Sequence, residues 1–91
     1  MKDLIDAGMV IAVRGAHRYL EANGLTADET ALAECLRAWI KIKLPEALAD
    51  AKAASECHME QVAQVTFSAT MLEAGIEAAK EASKDGAQPA N

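Results

Sequence analysis

Apolar residues recur every three or four positions along most of this chain, the spacing of one face of an α-helix. The pattern is interrupted firmly at only two places, Asn23-Gly24-Leu25-Thr26 and Leu44-Pro45. No stretch shows the strict alternation of a half-buried strand. The sequence therefore predicts an all-α protein, a small three- or four-helix bundle. Residues 1–84 are expected to form a single helical domain and 85–91 a flexible tail.

The first predicted helix covers 2–22. Asp3 and Asp6 stand in its first turn, where negative charge complements the helix dipole. Its apolar residues, including Leu4, Ile5, Met9, Val10, Ile11 and Val13, wrap more than one face. Gly8 and Gly15 share a stripe with Leu4 and Ile11. Glycine weakens a helix, so two on one stripe point to close backbone approach.

Gly24 suits the left-handed position that follows a helix, with Leu25 folding back on the last turn. Thr26 and Glu29 have the spacing of a capping box, which starts a second helix over 27–43. The short link makes helices one and two antiparallel neighbours. Leu32, Cys35 or Leu36, Trp39 and Ile42 form its predicted buried stripe, widened by Ala31, Ala38 and Ile40. Pro45 is expected to end or kink this helix, because the residue before proline avoids helical angles.

Beyond Pro45 there is no glycine before Gly75. One long helix fits a heptad register through Leu48, Ala51, Ser55, His58, Val62, Val65, Ala69, Leu72, Ile76 and Ala79. A break at Ser55-Glu56-Cys57-His58 fits better, because it lets the last segment fold back and bury more surface. Helices over 46–56 and 58–83 follow, with Ser55 a possible cap.

Composition lowers expectations for the core. Alanine fills 21 of 91 positions, and there is one each of Trp, Tyr and Phe. Alanine contributes little buried area, so a partner subunit is expected to complete the burial, with a homodimer as the expected assembly. Phe67 and Met71, with Met59, read as core. The net charge of −5 falls entirely within 45–91. An acidic chain repels phosphate backbones, which argues against nucleic acid as a partner. No apolar segment is long enough to cross a bilayer, and no leader is apparent, so a cytoplasmic protein is expected.

Candidate chemistry is sparse. Cys35, Cys57, His58 and His17 lack the short paired spacing of a zinc site, and no Glu-x-x-His pair marks a di-iron bundle. No glycine-rich phosphate loop or nucleophile elbow is present. The reading is a non-enzyme with no catalytic, cofactor or metal site. The interaction candidates are two charged sets. Arg14, His17 and Arg18 on the first helix, with Arg37 and Lys41 on the second, would form a basic patch if the hairpin brings them level. Glu73, Glu77 and Glu81 form an acidic ridge on the last helix.

These features lead to an expected function as a protein–protein interaction module, a small bacterial or phage/mobile-element regulator, inhibitor or adaptor acting as a homodimer. A DNA-binding transcriptional regulator is the first alternative. However, Ala27-Asp28-Glu29 at the start of helix two would meet phosphates badly. A small anion-binding helical enzyme or ligand-binding bundle, using Arg14, Arg18 and Arg37, is the second.

Overall fold

A computed structural model describes residues 2–86, with side-chain surroundings over 5–83. Three helices fill it: α1 over Lys2–Ala22, α2 over Glu29–Glu56 and α3 over Glu60–Gly86. α3 is the central element. It shares its largest interface with α2 and a second with α1, whereas α1 and α2 touch little beyond their turn. Gly8 lies against Phe67 and Met71, Ala12 against Gly75, and Tyr19 beside Lys80, so α1 and α3 run the same way. Lys43 reaches Glu73 and Trp39 reaches Glu81, so α2 runs against them. The body measures 48 × 21 × 18 Å.

The α1–α2 turn forms as the sequence implies. Gly24 takes φ +61°. The Leu25 amide donates to the Leu20 carbonyl at 2.8 Å and the Gly24 amide to that of Glu21 at 3.2 Å. These two bonds satisfy carbonyls that the helix end leaves free, the Schellman arrangement. Leu25 packs against the core. The start of α2 differs from the expected capping box. Its first residue is Glu29, and the cap is Asp28, whose carboxylate accepts from the Ala31 amide at 3.1 Å. Aspartate caps more strongly than threonine, and packing of Leu25 and Ala27 holds the chain extended up to Asp28.

Pro45 does not divide α2. The two helices expected over 27–43 and 46–56 are one 28-residue helix, Glu29–Glu56, with Pro45 inside it. An interior proline removes one helical hydrogen bond and crowds the carbonyl four residues back, at about 3 kcal/mol. Here Pro45 is exposed, so water can solvate the orphaned Lys41 carbonyl. Leu44, Ala47 and Leu48 pack on the core from both sides of the proline and hold the helix together. Lys43 spans it, 3.9 Å from Glu46 and 3.6 Å from Glu73.

The break between α2 and α3 falls at Cys57-His58-Met59, overlapping the expected junction Ser55–His58 and shifted toward α3. Its geometry repeats that of the first turn. The Met59 amide donates to the Ala54 carbonyl and that of His58 to Ser55, both at 2.9 Å. His58 takes the left-handed position at φ +60°. Ser55 is inside α2 rather than capping α3, and α3 starts at Glu60 rather than at residue 58. It extends through Asp85 and Gly86; the rest of the expected tail, 87–91, lies outside the described residues.

The core is made largely of small residues. Ala12, Ala16, Ala47, Ala74, Ala78, Ala79 and Ala82 are fully buried, with Phe67, Met71, Leu20, Leu32 and Leu36 supplying the bulk. Small side chains let the helix axes approach closely. Gly75 is the tightest point, since a Cβ there would run into the Ala12 backbone. At Gly15 a Cβ would sit 2.7 Å from Leu72 Cδ1, and at Gly8 2.9 Å from the Phe67 ring. The close approach inferred for Gly8 and Gly15 is thus seen, and Gly75 adds a third site.

Two core expectations fail. Ile42 is 61% exposed, and Ala38 is also on the outer side. The buried stripe of α2 runs instead through Leu32, Leu36, Ile40, Leu44 and Ala47, because a helix of 3.6 residues per turn carries position 42 to the far side of position 40. Met59 is exposed in the α2–α3 turn, where the chain reverses before it can reach the core.

Candidate functional site

The residues with metal-ligand chemistry are dispersed. Cys35 is half-buried in α2 against the core, and Cys57 closes the same helix. Twenty-two positions of helix separate them, about 33 Å by helical rise. His58 is in the turn and His17 is exposed on α1. No grouping of three metal-binding side chains occurs among the described residues.

The five basic candidates are all exposed. Arg14, His17 and Arg18 are on α1, Arg37 and Lys41 on α2, and no ion pair with a described residue holds any of them. The core side of α1 is defined by Gly8, Ala12, Ala16 and Leu20, so Arg14, His17 and Arg18 project from its outer surface. α1 and α2 share much less contact than either shares with α3, and no ion pair among the described residues joins the α1 set to the α2 set.

The acidic ridge has a structural job. Glu73 reaches Lys43 of α2 at 3.6 Å. Glu81 accepts the Trp39 indole N–H at 2.6 Å. Glu77 is half-buried and pairs with Lys80, whose ammonium lies 5.9 Å from the Tyr19 ring centroid. Two of the three thus tie α3 to α2, and Lys80 extends the link to α1. Trp39 is half-buried, its ring on the core and its N–H at the surface. The helix period placed these glutamates on one face, but only the tertiary register shows that the face borders α2.

Exposed apolar side chains are the feature the charge pattern did not indicate. On α1, Met9, Val10 and Val13 are exposed. On α3, Val62, Val65 and Leu72 are exposed, Val65 by 69%. Ala69 is exposed between them and Ile76 is half-buried beyond. The last five recur at three and four, so they line one stripe. This stripe runs between α1, where Leu72 touches Gly15, and the edge where Glu73 turns back to α2. The heptad register of a single long helix passes through these five residues, but the chain breaks before them and leaves Val62, Val65, Ala69 and Leu72 exposed.

A groove of about 790 Å³ opens where α2 and α3 approach the His58 turn, lined by Leu48, Ala51, Ala63 and Phe67 with Lys52 and Ser55 at its polar margin. Its apolar floor continues the core outward. No described helix is long and apolar enough to cross a membrane. Compared with known proteins, the chain matches no family model, and no curated protein or solved structure shows significant similarity to it.

Proposed function

We propose that this protein is a non-enzymatic interaction module, a small regulator, inhibitor or adaptor that works by presenting helix faces to another protein. The observation that carries this reading is the ordered exposure of bulky apolar side chains on helices that are otherwise anchored. Exposed apolar residues scattered singly have no particular meaning. A contiguous set on one rigid face marks a contact surface. Val62, Val65, Ala69 and Leu72 make such a set on α3, and Met9, Val10 and Val13 make another on α1. The exposed cations Arg14 and Arg18, with His17 between them, share the outer surface of α1 and supply the charged rim that steers and orients a partner.

The test is affinity capture with the tagged chain from its source cells, with protein and nucleic acid both identified. Wild type, Val65→Glu and Val10→Glu would be run together. The expected result is one stoichiometric protein partner, lost with at least one of the two substitutions. Recovery of nucleic acid that survives moderate salt, without a protein, would replace this reading with that of a nucleic-acid-binding regulator.

A further inference from the structure

We infer that two copies of this chain associate antiparallel along α3, through Val65, Ala69, Leu72 and Ile76. The inference deepens the interaction reading above and rests on it, since it names the partner of one of the two apolar faces. The first argument is periodicity. The 3-4-3-4 spacing from Val62 to Ile76 is that of a coiled-coil seam, which a second helix covers by inserting knobs into holes. On this chain the seam is most open at its start, where Val65 is 69% and Val62 45% exposed, and α1 reaches only its Leu72 edge through Gly15.

The second argument is that the seam is complementary to itself. With the two-fold axis between Ala69 and Leu72, Ala69 meets the partner's Leu72, and Val65 meets the partner's Ile76. Each layer then sets a smaller side chain against a larger one. A parallel pairing would put Ala69 opposite its own copy and leave a void, which is unfavourable in a packed interface. Antiparallel pairing also opposes the helix dipoles.

The third argument is charge. No charged residue lies in the stripe. On α3 itself, the charges along its edge are Glu73, held by Lys43, and Lys80, held by Glu77. The antiparallel register brings Glu73 to the level of the partner's Ser68 and Lys80 to the level of the partner's Gln61, so like charges do not meet.

Sedimentation velocity over a range of protein concentrations tests this with wild type, Val65→Glu and Ile42→Glu. Val65 and Ile42 are both exposed in the single chain, so either substitution should leave it folded, which far-UV circular dichroism would check. Wild type and Ile42→Glu should dimerise alike, and Val65→Glu should associate on the order of a hundredfold more weakly, since it buries an unpaired charge in each copy. Orientation is read from disulfide trapping in a Cys35→Ala, Cys57→Ser background. A mixture of Val65→Cys and Ile76→Cys chains should cross-link between the two types, while a parallel seam would join Val65→Cys chains to each other.

A dimer insensitive to Val65→Glu, or one that cross-links like to like, would overturn the inference. So would a wild type that stays monomeric. A monomer that still captures a different protein through Val65 would leave the interaction module standing, and a monomer that captures none would remove both.

Discussion

The two ends of this bundle reverse the chain with the same hydrogen-bond geometry, yet they are filled differently. At the Gly24 turn, glycine occupies the left-handed position, Asp28 caps the next helix, and Leu25 folds onto the core. Leu20, Leu32 and Leu36 with Ala78, Ala79 and Ala82 fill the space behind it. At the His58 turn, a histidine holds the left-handed position, Met59 points outward, and a groove opens between the helices. Val62 and Val65 stand exposed just beyond. A left-handed conformation costs a residue with a Cβ about 1–2 kcal/mol, which glycine avoids. One end is therefore built for stability, and the other retains strain and apolar surface. The contrast teaches that hydrophobic content alone does not set stability in a small protein: placement decides which apolar residues fold the chain and which remain for a partner.

The strongest way to break the closed end is Gly75→Ala. The added methyl has no space beside the Ala12 backbone, so α1 and α3 must separate along their shared alanine surface. A loss of about 3 kcal/mol is expected, seen as a lower urea midpoint. A wild-type midpoint would show that α1 and α3 are not in close contact. Trp39→Ala comes next, at about 2 kcal/mol, because Trp39 is half-buried and contributes both packing and a bond to Glu81. Trp39→Phe should lose less, and Glu81→Ala should add little to Trp39→Ala, which a double-mutant cycle would detect.

The turns themselves offer a comparison of opposite sign. Gly24→Ala should destabilise by about 1 kcal/mol, because alanine must take up the left-handed angle. His58→Gly should stabilise by about 1 kcal/mol by relieving the same strain. Thermal melts of both variants check the pair, and a destabilised His58→Gly would mean that the imidazole makes a contact of value. The smallest effect belongs to Val65→Ser. Measured on the monomer, its stability should stay within about 0.5 kcal/mol of wild type, because the side chain supports nothing within its own chain.

Local rules made much of the fold legible. α1 over 2–22, the Gly24 reversal and the break near His58 follow from helix period and end signals that act within a few residues. The effect of Pro45 is not legible locally, because it depends on the surroundings. Exposure on one side and packed leucines on either flank outweigh the lost hydrogen bond. The cap moved from Thr26 to Asp28 because tertiary packing of Leu25 and Ala27 sets where the chain can turn helical. Of the candidate site residues, the exposure of Arg14, His17, Arg18, Arg37 and Lys41 follows from their positions opposite the apolar stripes. The engagement of Glu73 and Glu81 was not legible, since it depends on the register between α2 and α3, which no local pattern encodes.

Residue-resolved amide hydrogen exchange tests the central contrast most directly. Exchange follows the cost of local opening, which is low where few apolar contacts cover the backbone. The account predicts that amides over 52–61, around the His58 turn, exchange first, and that those over 71–82 of α3 exchange last, near the global unfolding limit. Uniform protection along the three helices, or slower exchange around His58 than around Gly24, would contradict it.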